Sequence, residues 1–247
     1  MTLKKMNLLI LACAVSTIAM AKPLIFATEA TYPPFESVAP SGQIVGFDVA
    51  VMNAICKQIK VQCQMINQPW ESLIPSLKVG KFDAVMGAMA ITKKREQQVS
   101  FTLPYYQNTV SLVAPNNSKI ALSKNGLNDK TVGVQAGTTF ANYLHGEYGE
   151  VVTVKGYPSE MQPFMDMQAG RLDAVLGDTP LVKKWLKQHS GFKLVGKPIA
   201  NIKYFGTGDG IAVKKNNTAL LKKLNQAIVV LKKNGVLLKL EKHYGLK

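Results

Sequence analysis

Apolar positions along this chain fall into two alternating periods. Short runs rich in β-branched and aromatic residues read as strands: PLIFAT at 23–28, VQCQMI at 61–66, TVSLVA at 109–114 and GIAV at 210–213. Between them, apolar residues recur at helical spacing over 46–59, over 70–79 up to the stop at Gly80, and over 159–169, 179–188 and 217–241. The stretch KTVGVQAGTTFANYL from Lys130 reads as strand, turn and helix in succession, and 150–155 supplies a further strand. Strand and helix alternate throughout, which predicts an α/β class.

One pattern occurs twice. Residues 77–87 read LKVGKFDAVMG and residues 167–177 read MQAGRLDAVLG, an offset of 90. Five positions are identical: Gly80/Gly170, Asp83/Asp173, Ala84/Ala174, Val85/Val175 and Gly87/Gly177. Each copy reads as a helix end with a glycine stop, a short turn and a buried strand. Two copies of one βαβ-type unit predict two similar α/β lobes. Ligands of such sheets sit at the carboxyl ends of strands, so two facing lobes predict a cleft between them.

Lys4 and Lys5 precede an uncharged apolar run over 8–20, and Ala19-Met20-Ala21 supplies small residues where a signal peptidase reads. Residues 1–21 are therefore expected to be a secretory leader cut after Ala21, too short to span a bilayer. A weaker alternative is a lipoprotein site at Cys13, which lies very close to the basic start. The full chain of 247 residues carries 30 Lys+Arg against 15 Asp+Glu. Without the leader the balance is 28 against 15, or +13. The lysines are scattered and lack interleaved aromatics for base stacking, so no nucleic-acid partner is expected and a solvated surface explains them. Cleavage leaves Cys56 and Cys63, which an oxidising compartment should pair as a structural disulfide.

No metal or cofactor site is expected: His145, His189 and His243 are isolated, and neither a G-x-S-x-G nor a phosphate loop occurs. The candidate chemistry is that of a binding cleft. Gly137-Thr138-Thr139 opens a helix after a strand, where free N–H groups suit a carboxylate, though Thr138 also reads as a simple N-cap. Arg95 follows the first repeat strand and has the geometry to grip a carboxylate with two parallel hydrogen bonds. Asp178 holds the matching place after the second repeat, as an ammonium partner, a helix N-cap, or both. Tyr32 and Trp70 follow the first two strands and present flat faces for a side chain, with a cation–π contribution for a guanidinium. Glu29, beside Tyr32, answers a distal positive charge.

Together these residues resemble the periplasmic amino-acid-binding proteins of bacterial ABC importers, the polar-amino-acid group (solute-binding protein family 3). The likeness runs over 22–247 through Ala30-Thr31-Tyr32-Pro33-Pro34-Phe35-Glu36-Ser37, Gly46-Phe47-Asp48, Leu73-Ile74-Pro75-Ser76-Leu77, Ile91-Thr92-x-x-Arg95, Gly137-Thr138-Thr139, Gly177-Asp178 and Tyr204-Phe205-Gly206-Thr207-Gly208. It is strongest toward arginine-binding members, and the Cys56–Cys63 spacing looks like the disulfide of basic-amino-acid members. The resemblance implies a periplasmic-binding-protein type II fold: two Rossmann-like lobes joined by a two-strand hinge, crossing near 107–110 and 203–207. Lobe one would take 22–108 plus 206–247, and lobe two 109–205. It implies no catalysis and no cofactor, a monomer in the periplasm, and delivery of L-arginine or another basic amino acid to a membrane permease. The ligand carboxylate would sit on Arg95 and on Thr139 with its helix N-terminus, with Thr138 also in the ligand site, the ammonium on Asp178, and the side chain between Tyr32 and Trp70 toward Glu29.

Relatives often carry serine or aspartate where this chain has Ala88 and Ala90, so their ammonium contacts would fall to backbone groups. Asp209 is unusual in its glycine-rich stretch and reads equally as a cleft residue or a turn cap. Alternatives are binding of lysine, ornithine, histidine or glutamine, and an exported dehydratase on the same fold. A ligand-sensing domain would need a membrane span or signalling domain, and none is read in this chain.

Overall fold

The computed structural model describes residues 22–247; the expected leader, 1–21, lies outside the described residues. Two five-stranded mixed sheets form the body. The first runs, edge to edge, Cys63–Asn67, Leu24–Thr28, Ala84–Val85, Ala212–Val213 and Ser100–Phe101. The second runs Val152–Tyr157, Lys130–Gln135, Ala174–Asp178, Val110–Pro115 and Phe192–Ile199. Both follow one plan: two parallel pairings on one side of the sheet, then two antiparallel pairings.

The repeated motif has one job in both sheets. Gly80 and Gly170 end their helical turns at φ 79° and 72°, in the left-handed region open to glycine. Asp83 Oδ2 then accepts the Ile25 N–H at 2.8 Å, and Asp173 Oδ2 accepts the Thr131 N–H, also at 2.8 Å. The aspartate thereby satisfies the first free donor of the neighbouring parallel strand. Ala84 and Ala174 follow, fully buried, opposite Phe26 and Val132.

Helix Phe47–Gln58 buries Phe47, Val51, Met52 and Ile55 against lobe one, where helices Thr218–Lys233 and Val236–His243 pack on it. Cys56 and Cys63 are bonded, tying the end of that helix to the next strand. Lobe two is filled by Leu112, Val132, Val134, Phe140, Tyr143, Leu144 and Leu176.

Three readings of the sequence need correction. The buried strand read at the end of the first repeat is only Ala84–Val85, because Gly87 packs against Thr28 and Glu36 and Ala88 turns to φ 43°. Phe192–Ile199 is an edge strand that the apolar pattern did not signal. The second crossing is not a strand at 203–207. Asn201 caps a four-residue helix, Ile202–Phe205, whose Tyr204 and Phe205 pack on Tyr143 and Phe140 of lobe two. From Thr207 to Gly210 the backbone pairs with Met89, Ile91 and Tyr106 of lobe one. Gly206 lies between these two sets of contacts.

Candidate functional site

A cavity of about 240 Å³ lies between the sheets, at the carboxyl ends of their strands. All nine expected ligand-site residues line it: Glu29, Tyr32, Trp70, Ala88, Ala90, Arg95, Thr138, Thr139 and Asp178. Glu29 and Asp178 are delivered by strand ends, one from each sheet. Thr138 caps helix Thr139–Tyr148, yet its hydroxyl donates to the Gln135 carbonyl at 2.7 Å instead of accepting a helix N–H. The first-turn N–H groups of that helix are therefore left for another acceptor. Asp178 is the N-cap residue of helix Thr179–Leu186, but its side chain makes no cap. Its Oδ2 accepts instead from the Tyr32 hydroxyl at 2.6 Å, across the cleft.

Arg95 is nearly buried on a short helix capped by Thr92. One guanidinium N–H group, on Nη1, donates to the Ala90 carbonyl at 2.9 Å, which leaves most of its five donors for a ligand. The guanidinium carbon stands 5.2 Å from the Trp70 ring centroid, within cation–π range. One partner of Trp70 is thus the protein's own arginine. The Tyr32 ring stacks on Phe35 with centroids 5.9 Å apart. Each aromatic of the expected sandwich already has one neighbour within the chain.

The backbone at Ala88 and Ala90 is also partly committed. Ala88 N–H donates to Asp48 Oδ2 at 2.7 Å, and the Ala90 carbonyl serves Arg95. Asp48 further accepts from Tyr105 at 2.8 Å, so this carboxylate holds the left-handed turn beneath the cavity.

Residues that sequence reasoning did not select also reach the cavity. Gln135 donates from Nε2 to Glu29 across the cleft and to the Pro158 carbonyl at 3.1 Å. Glu36, Gln107, Asn108 and Asp209 line the wall. Asp209, read as a cleft residue or a turn cap, is among the residues lining the cavity. The signal for it was its odd place in Gly-Thr-Gly-Asp-Gly; nothing in the pattern marked Gln135.

The electrostatics are one-sided. Glu29, Glu36, Asp178 and Asp209 line the cavity with Arg95 as the one cationic side chain among them. Burial pushes Glu29 above the usual carboxylate range, against the lowering effect of its Gln135 bond. Burial raises Asp178 to about 7, although Tyr32, Asn108 and Arg95 favour its charge. Asp209 and Glu36 are pushed well up by burial and by neighbouring acids. Desolvation lowers Arg95 to about 10. Among the described residues no cluster of His, Cys, Asp and Glu is suited to a metal ion, and no helix is long and apolar enough to cross a membrane.

A two-lobed α/β fold with a polar cleft of this kind defines a solute-binding protein. Residues 24–247 match the bacterial extracellular solute-binding proteins, family 3, and the chain belongs to that family. It is 46% identical over 87% of its length to the putative ABC transporter arginine-binding protein 2 of Escherichia coli K12, with 87% of that relative covered. It is 42% identical, at the same coverage of both chains, to ABC transporter arginine-binding protein 1 of that organism. Among solved structures, a Salmonella typhimurium periplasmic binding protein described for its high arginine specificity superposes with a TM-score of 0.84 at 38% identity. That match covers 90% of this chain and 99% of the other. These relatives are named as binding proteins and not as enzymes.

Proposed function

We propose that the chain captures a cationic L-amino acid, arginine first, in the periplasm and delivers it to the permease of an ABC importer. Residues 1–21 are the leader, removed after Ala21. Lobe one is 22–108 plus 206–247 and lobe two is 109–205. Arg95 and the N-terminus of helix Thr139–Tyr148, with Thr138, take the α-carboxylate. Asp178 takes the α-ammonium. The side chain runs between Tyr32 and Trp70 toward Glu29. The names of the relatives support arginine, and so does one observation above all. A buried cavity with four carboxyl groups and one guanidinium sits in a chain whose overall charge is strongly positive. Buried carboxylates are costly without cationic partners. A ligand with one carboxylate and two cationic groups matches that wall; a neutral glutamine side chain leaves Glu29 unanswered.

The test is calorimetric titration of ligand-stripped mature protein with arginine, lysine, histidine, glutamine and glutamate. Arginine should bind tightest, with binding lost in Asp178→Ala and weakened in Trp70→Ala. No heat with any of the five would overturn the amino-acid reading and turn attention to the dehydratase alternative.

A further inference from the structure

Asp209 is a further acidic residue lining the cavity, with Arg95 and Asp178. Asp209 is 2% exposed, and its Oδ2 is buried without a hydrogen-bond partner. Its backbone bridges to Ala90 on one side and Tyr106 on the other, which fixes its position in the wall of lobe one. Asp178 stands on lobe two. The Asn108 side chain, at the first crossing, favours the charged form of both acids, and Arg95 acts on both as well. Two acids, one from each lobe, thus share an amide and a guanidinium. Beside them, Ala88 and Ala90 offer only methyl side chains. The Ala88 N–H is occupied by Asp48, and as a donor it would not serve an ammonium.

We propose that Asp209 is a ligand-binding residue that takes the α-ammonium together with Asp178, so that the ammonium is clamped from both lobes. This rests on the amino-acid reading above and names a lobe-one partner for the charge that Asp178 meets from lobe two. An ammonium has three donors, enough for both carboxylates with one to spare. It also gives the buried Asp209 Oδ2 the cationic partner it lacks, which removes the cost of an unpaired buried carboxyl. Ala88 and Ala90 beside it contribute no side-chain oxygen to this contact.

The experiment compares arginine with 5-guanidinopentanoic acid, the same molecule without its α-amino group, on the wild type and on Asp209→Asn. Asparagine is close in shape, so folding is retained; a thermal melt checks this, and Asp209→Leu serves as a second variant. The expected result is a loss of arginine affinity of about tenfold or more, the scale of a hydrogen bond to a charged group, in Asp209→Asn. Affinity for 5-guanidinopentanoic acid should change by less than about twofold, since that ligand has no ammonium to lose. Equal weakening for both ligands would overturn the proposal, since Asp209 would then act on the guanidinium or on the fold. Unchanged arginine affinity would overturn it too. A wild type that binds neither ligand would instead refute the amino-acid reading itself.

Discussion

Asp178 shows how one residue couples binding to acidity. Burial holds its carboxyl at about 7, far above the exposed value, because desolvation outweighs the help of the Tyr32 hydroxyl, Asn108 and Arg95. Asp209, Glu36 and Glu160 are shifted the same way by burial. A carboxyl whose folded pKa lies above its unfolded value contributes stability that is full below about 4 and is lost as pH rises through the folded pKa. The ligand-free protein should therefore melt at lower temperature at pH 8 than at pH 5. Arginine binding has the opposite slope, since the cation needs the ionised acid. Its affinity should tighten from pH 5 to pH 8 and level off above. Calorimetry across that range checks both trends, and a flat arginine profile would show that Asp178 does not face the ammonium. At this scale the sequence exposed the charged members well. Asp178 and Glu29 stand at strand ends, where α/β sheets keep their chemistry, and Arg95 stands on the short helix that follows the first repeat. Gln135 was hidden because it is the last residue of a buried strand, and only the facing lobe gives its amide a carboxylate to meet.

The repeated element carries its own prediction. Asp83 and Asp173 each satisfy the first free N–H of a parallel neighbour, in separate sheets. Asp83→Ala and Asp173→Ala should each cost about 1–2 kcal/mol in urea unfolding, the scale of one partly buried hydrogen bond to a charged group. The costs should add in the double variant, because the sites share no partner. Asparagine at either position keeps the acceptor and should recover most of the loss. The same elements show what periodicity discloses. Helix Phe47–Gln58 and the strands Lys130–Gln135 and Val110–Pro115 lie within a residue or two of their expected bounds, since their burial is strong and regular. Phe192–Ile199 escaped because it is an edge strand with one fully buried residue, Val195. Gly196 sits at φ 72°, and the register shifts between Val195 and Ile199. Ile202–Phe205 escaped because its four residues make one turn, too short for a helical period to register. Its Tyr204 and Phe205 also pack on the lobe that the chain is about to leave.

For the whole molecule, the consequence is a cleft held by few contacts when empty. Two hydrogen bonds cross it, Tyr32 to Asp178 and Gln135 to Glu29, each ending on a carboxyl group proposed to meet the ligand. Against them stands Asp209 Oδ2, buried without a hydrogen-bond partner. Each crossing bond is worth about 1–3 kcal/mol net and an unpartnered buried acid costs about as much as one of them, so the ligand-free cleft is held by only a few kcal/mol. A cationic ligand shifts the balance because it partners the acids only when both lobes reach it. Small-angle scattering at pH 8 should give a smaller radius of gyration with saturating arginine than without; identical curves would mean that the lobes do not move. The movement must pass through the two crossings. The second turns at Gly206, with φ 70°, where an added Cβ would stand 1.9 Å from the Ile91 carbonyl oxygen. Backbone cannot yield there as a flexible side chain would. Gly206→Ala should therefore displace the crossing and with it the Ile91 turn that leads into Arg95. The expected outcome is arginine affinity reduced by about tenfold or more alongside a lower melting temperature. A Gly206→Ala protein with wild-type affinity and an unchanged scattering response would show that closure does not depend on this turn.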